Sequence, residues 1–216
     1  MFTGIIQEIG SIEDRKPMGG GVRLRVHGPA SAAELGIDRS ISVNGTCLTV
    51  VQINDSSFEL EAVEETLAKT TLGSFTVGDQ VNLELPMRMS DRLDGHLVLG
   101  HVDAVGEILQ IDILESSRMF AVRIPPEFMH YCVRTGSIAV DGVSLTIARI
   151  TGATIGVSII PHTLENTIFQ YYNISDRVNL EFDVVGKYVE RMLNPGAGES
   201  PGRQALSEQH LRELGF

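Results

Sequence analysis

"SVNGTCLTV", Ser42–Val50, and "AVDGVSLTI", Ala139–Ile147, are two spellings of one pattern, x-V-[N/D]-G-x-[C/S]-L-T-[V/I]. Gly45 and Gly142 stand 97 residues apart, and other blocks keep almost the same interval. "GIIQEIGSI" from Gly4 aligns with "GHVDAVGEI" from Gly100 at a separation of 96. "FELEAVEETLAKTTL" from Phe58 aligns with "IGVSIIPHTLENTIF" from Ile155 at 97, setting Thr66 over Thr163 and Thr70 over Thr167. "VGDQVNLEL" from Val77 meets "ISDRVNLEF" from Ile174 at the same spacing. Four blocks in one order mean that the whole chain is doubled. Two copies are too few for a solenoid, whose repeats bury their faces only by stacking. Each copy is therefore read as a small domain, residues 1–96 and 97–193, followed by a flexible tail over 194–216.

Within each repeat the period is two. "GVRLRVHG", "SFELEAV", "FAVRI", "QVNLEL" and "RVNLEF" alternate apolar and polar residues, the mark of half-buried strands. Turn formers such as "NG" and "INDSS" punctuate them at short intervals, as small barrels require. The expected fold is mainly all-β: two tandem homologous closed β-barrels with short helices. Helices are expected at "PASAAELG" and "PPEFMHYCVRTG", which hold equivalent places, at the end of the second repeat in "GKYVERML", and in the tail at "ALSEQHLRELGF".

Composition narrows the function. The 216 residues are 43% apolar, enough for packed cores, and a net charge of −11 argues against a nucleic-acid partner. No apolar run reaches the length of a membrane span, and "MFTGIIQEIG" lacks the basic start of a signal peptide, so a cytoplasmic location is expected. Cys47 and Cys132 make neither a disulfide framework nor a metal site by spacing and read as free thiols.

With this organisation in hand, the chain resembles the riboflavin synthase family, lumazine-binding enzymes with two tandem barrels. The likeness rests on "MFTGII" at the start, "GHLVLGHVD" between the repeats, "SVNGTCLTV" and "SIAVDGVSLTI" inside them, and the paired "ETL" and "HTL". It covers roughly residues 1–193. The resemblance implies a dismutation in which one 6,7-dimethyl-8-ribityllumazine gives a four-carbon unit to another, yielding riboflavin and 5-amino-6-ribitylaminouracil. It implies pterin or flavin ligands and a homotrimer with the active site between barrels of neighbouring subunits. Lumazine synthase becomes a candidate partner, and no cofactor or metal is called for.

The motif positions assign the pockets. Gly4, Ile5 and Ile6 are expected in the first, and Gly100, His101, Val102 and Asp103 in the second. Cys47, Leu48 and Thr49 match Ser144, Leu145 and Thr146, with Leu48, Leu145, Ile6 and Val102 open to a purely core role. The stretches Glu61, Ala62, Val63, Glu64, Glu65, Thr66 and Ser158, Ile159, Ile160, Pro161, His162, Thr163 close the two rings. Backbone groups and small hydroxyls suit a pterin edge, since a buried polar group left unpaired costs about 1–3 kcal/mol. The candidate catalytic residues are those that differ between the copies, together with Ser40. His101 replaces Ile5 and can relay a proton near neutrality. Cys47 replaces Ser144, and either group could add to a bound ring or stay a bystander. Asp141, against Asn44, reads as a pocket-side proton partner or as an ordinary turn residue before glycine. Ser40 reads as a strand-end group or one near the reacting centre. Many family members have Lys where this chain has Thr135, and Arg134 beside it offers the charge instead. The rival readings are a non-catalytic antenna protein, a flavin reductase and a purely structural barrel pair. The second lacks a strand followed by G-x-G-x-x-G.

Overall fold

With every second side chain facing inward, short strands can close on themselves and leave no unpaired edge. The structure is a computed structural model and describes residues 1–194, so the expected tail helix lies outside the described residues. The first repeat gives β1 (Glu8–Met18), β2 (Gly21–His27), β3 (Ser40–Val43), β4 (Thr46–Ile53), β5 (Ser57–Ala62) and β6 (Gln80–Glu84). The second gives β7 (Ala104–Ile113), β8 (Arg118–Arg123), β9 (Ser137–Val140), β10 (Val143–Thr151), β11 (Thr154–Ile159) and β12 (Arg177–Phe182). Both close into antiparallel barrels of identical topology, β1-β2-β5-β4-β3-β6 and β7-β8-β11-β10-β9-β12. Even the bulges recur: the register breaks after Ile12 and Val50 in one barrel and after Ile108 and Ile147 in the other. The tandem β-barrels expected from the sequence are present.

Each barrel has its own core. Leu24, Val26, Ile41, Phe58, Leu60 and Leu83 fill the first, and Phe120, Val122, Ile138, Ile155, Phe169 and Leu180 the second. The helices depart from expectation in detail. "PASAAELG" forms α1 (Pro29–Glu34), but its counterpart is a 3₁₀ helix, Pro126–Tyr131. Phe128 and Tyr131 both pack on Phe182, at 5.4 and 5.7 Å between ring centres, and a three-residue turn puts both on one side. Two short helices follow β5 and β11 directly, α2 (Glu64–Lys69) and α3 (Pro161–Glu165), where the sequence analysis placed ring-closing segments. The expected C-terminal helix is α4 (Val184–Leu193), with Val185, Tyr188, Val189 and Met192 exposed on one stripe. Residues Met1–Val184, which include both barrels, form one compact unit, and a second begins at Val185. Among the described residues no helix is long and apolar enough to cross a membrane.

The doubled nine-residue motif explains the junction between the barrels. In each copy it forms a tight hairpin whose two turn residues have positive φ: Asn44 (45°) with Gly45 (75°), and Asp141 (43°) with Gly142 (80°). The turns meet back to back, and a Cβ on Gly45 would come 2.7 Å from the Gly142 nitrogen. Two buried asparagines reach across. Asn82 Nδ2 donates to the Asp141 carbonyl at 2.9 Å, and its Oδ1 accepts from Ile168 N at 2.8 Å. Asn179 does the reciprocal: Nδ2 donates to the Asn44 carbonyl and Oδ1 accepts from Thr71 N, both at 2.8 Å. Buried, satisfied amides fix one register between the barrels, because any slip would leave them unpaired.

Candidate functional site

The segments ahead of β1 and β7 decide how the site is built. Phe2 and Val98 form an antiparallel bridge, exchanging N–H···O bonds of 2.7 and 3.1 Å. From there the two segments diverge, and each runs onto the opposite barrel. The Gly4 carbonyl accepts from Ser144 N at 2.8 Å, and the Gly100 carbonyl accepts from Cys47 N at 2.9 Å. Both glycines have positive φ, 76° and 81°, and a Cβ on either would lie 2.6 Å from the Cβ of Ser144 or Cys47. Ile6 packs on the second core. Gly4 and Ile6, expected with the first pocket, thus meet the second barrel, and Gly100, expected with the second, meets the first barrel's motif. The duplication equates Gly4 with Gly100 but does not say which barrel each one meets.

Two carboxylates hold the crossing segments. Glu84, only 2% exposed, accepts from Thr3 N (2.6 Å), the Thr3 hydroxyl (2.7 Å) and Gly4 N (3.0 Å). Glu181, its equivalent 97 residues on, accepts from Leu99 N (2.7 Å), Gly100 N (2.9 Å) and His101 N (3.0 Å). Burial raises the Glu84 pKa, and the bonds from Thr3 and Gly4 pull it back down. Neither glutamate is among the residues expected at the site. The available signal was "VNLE", present in both copies, whose asparagine and glutamate alternate with core residues and yet are buried.

Strand alternation then sorts the remaining candidates. Leu48 and Leu145 point inward and belong to the cores, as do Ala62 and Ile159. Cys47 and Thr49 occupy the other face of β4, and Ser144 and Thr146 that of β10. Ser40 stands directly opposite Thr49 in the β3–β4 pair, as Ser137 stands opposite Thr146. The polar candidates of these strands therefore gather on the outside of each barrel. Val63 and Ile160, equivalent residues leading into α2 and α3, are 60% and 56% exposed, and Ile5 is 47% exposed. Thr66 and Thr163 lie within these helices, their carbonyls accepting from the Thr70 and Thr167 hydroxyls at 2.7 Å. Glu64, Pro161 and His162 are exposed, as is His101. Other candidates have structural partners. Glu61 pairs with Arg23, Glu65 with Lys69 at 2.6 Å, and Asp103 Oδ2 accepts from Phe182 N at 2.9 Å. Ser158 donates to Ser117 Oγ at 3.0 Å. Thr135 is exposed with φ of 64°, a left-handed backbone that suits a β-branched residue poorly.

Asp141 is the clear correction. It is completely buried in the junction between the barrels rather than on either outer face. Oδ1 accepts from Asn179 N at 3.0 Å, and Oδ2 accepts from the Tyr172 hydroxyl. Asn44 makes the matching bond to Asn82 N at 2.7 Å, so the position serves the turn in both copies. Burial pushes the Asp141 carboxyl up to about 7, partly offset by those two bonds. A groove of about 530 Å³ opens beside Tyr171, Tyr172 and Arg177 and takes in none of the predicted site residues. Also missed was His96, 8% exposed, whose Nδ1 lies 2.7 Å from Ser144 Oγ. It sits in the quoted "GHLVLGHVD", where the motif drew attention to the second histidine alone.

These features define a class: a fused pair of barrels with equivalent polar residues on their outer faces, each set met by a segment from the other repeat. The lumazine binding domain model matches the chain twice, over residues 3–86 and 99–183. The riboflavin synthase of Bacillus subtilis (strain 168) is 39% identical over 216 residues, all of both chains. That of Mycobacterium bovis is 42% identical over 197 residues, 89% of this chain and 98% of its own. Solved structures of LumP complexed with 6,7-dimethyl-8-(1'-D-ribityl) lumazine and with riboflavin superpose with TM-scores of 0.77 and 0.79. Each is 23% identical and covers 84% of this chain and 99% of its own, which speaks to the fold. The chain belongs to the lumazine-binding domain family and, within it, to the riboflavin synthases.

Proposed function

We propose that the protein converts two molecules of 6,7-dimethyl-8-ribityllumazine into riboflavin and 5-amino-6-ribitylaminouracil, one molecule giving four carbons to the other. The observation that carries this reading is the pair of equivalent half-sites on one chain. A reaction between two copies of one substrate needs two like surfaces brought face to face. Both half-sites are open, with Val63 and Ile160 more than half exposed, so each has room for a covering surface. In this reading that cover is the opposite half-site of a neighbouring subunit in a homotrimer, which works in the cytosol and associates with lumazine synthase. Holding two reactants in register is worth about 7–11 kcal/mol of barrier without any chemical group. The lumazine is its own redox partner, and its acidic C7 methyl lowers the demand on a protein base. His101, carried on the segment that meets Cys47, relays the proton at the first half-site. Ser40 and Thr49 supply neighbouring hydroxyls there, and Ser144 and Thr146 supply them at the second.

The test is to mix the protein with 6,7-dimethyl-8-ribityllumazine and follow both products. One riboflavin should appear for every two lumazines consumed, and sedimentation should give three times the 23.5 kDa chain mass. Bound but unconverted lumazine would assign the protein an antenna-type role instead. A fully active monomer would remove the shared site.

A further inference from the structure

Ser144 and Cys47 are equivalent, yet they are held differently. Each gives its backbone N–H to a crossing segment. Ser144 Oγ also lies 2.7 Å from His96 Nδ1, whereas no histidine is bonded to Cys47 among the described residues. His96 is 8% exposed, and its Nε2 is buried with no hydrogen-bond partner among the described residues. Burial lowers the His96 pKa below its ordinary value, with the Asp183 charge pulling the other way, which favours the neutral ring.

A neutral imidazole has one N–H to place. On Nε2 that hydrogen would be a buried donor without an acceptor, the arrangement that proteins avoid most strictly. On Nδ1 it completes a hydrogen bond to Ser144 Oγ. Ser144 is then an acceptor toward His96, and its own O–H is left to point away from the imidazole. The side chain is on the outer face of β10, half-buried, beside Gly4.

We propose that His96 is a positioning residue of the second half-site, fixing the Ser144 hydroxyl as a donor to an acceptor atom, a carbonyl oxygen or an unprotonated ring nitrogen, of the bound heteroaromatic ring. This rests on the ligand reading above. The first half-site presents the Cys47 thiol at the same place, a much weaker donor. The two half-sites of one chain therefore bind the same ring with unequal strength, and His96 contributes to only one of them.

The experiment is calorimetric titration of the full-length protein with 6,7-dimethyl-8-ribityllumazine, comparing the parent with His96→Leu and His96→Asn. The parent should show two classes of site. In His96→Leu one class should weaken about tenfold, the loss of one good hydrogen bond, while the other stays within about twofold. In His96→Asn the amide N–H₂ takes the place of Nδ1–H, and affinity should return to within about threefold of the parent. Because Nδ1 carries its hydrogen in both the neutral and the cationic ring, binding at this site should also stay level as the histidine titrates. Two unchanged classes in His96→Leu, or two that weaken together, would overturn the proposal and leave the ligand reading standing. Loss of the tighter class on acidification would make His96 a proton acceptor rather than a donor. A parent that binds no lumazine would overturn both readings.

Discussion

Replacing Asp141 by asparagine should make the protein more stable at neutral pH and should abolish one pH dependence. Asp141 has no exposed surface, and burial pushes its carboxyl up to about 7. In the unfolded chain the same group titrates near 3.9. The folded value is the higher one, so between these limits the folded protein holds a proton that the unfolded chain has released. The stability from this proton is complete below about pH 4 and is lost as the pH rises through about 7. Three units at about 1.4 kcal/mol each put the loss at about 4 kcal/mol. Asparagine cannot ionise. Its Oδ1 keeps the bond from Asn179 N, and the molecule contains the control, since Asn44 already accepts from Asn82 N at 2.7 Å. Its N–H₂ then faces the Tyr172 oxygen, which can accept. Thermal melts of Asp141→Asn and the parent should differ little at about pH 4, and the variant should gain roughly 10 °C on the parent by about pH 8. A difference that stays constant across this range would show that the bonds from Tyr172 and Asn179 outweigh burial and that the carboxylate is ionised in the junction.

Other substitutions address the outer faces. Thr135→Gly should raise stability by about 1 kcal/mol by relieving a left-handed backbone, and a thermal melt no higher than the parent's would show that the position carries no strain. His101→Ala should lower kcat by about 10²-fold, in the lower half of the range for general acid–base assistance, while Ile5→Ala acts mainly through affinity; steady-state kinetics on both folded variants would expose equal effects, which would demote the histidine. Glu181→Gln should lower kcat more than it lowers the melting temperature, because the carboxylate orients Leu99–His101 through three backbone N–H groups; a loss of stability with kcat intact would make it a structural clamp alone.

The barrels were legible because period-two alternation and a constant interval are properties of the string itself. Cys47, Thr49, Ser144 and Thr146 could be placed for the same reason: they alternate with Leu48 and Leu145, which fill the cores. The crossing of the segments could not be read. A pattern that is identical in both copies is unchanged when the copies trade partners, so Gly4 fits Cys47 or Ser144 equally well on paper. Asp141 misled because a charged residue before glycine belongs equally to a solvated turn and to a buried one. Glu84 and Glu181 were hidden by the rule that carboxylates avoid interiors; here each is offered three hydrogen-bond donors. His96 escaped because its partner, Ser144, lies 48 residues away in sequence.

The exchange of leading segments also bears on how such a chain could arise. Two separate copies of a single repeat, each lending its first residues to the other, would satisfy every bond in the junction as a symmetric dimer. In such a dimer a mutation appears on both sides at once. Fusing the copies lifts that restriction, and equivalent positions now differ along the chain, Ile5 against His101, Cys47 against Ser144, and Asn44 against Asp141 among them. In a tandem chain of this architecture each member of an equivalent pair can be altered without the other, a freedom that a symmetric dimer of single repeats lacks.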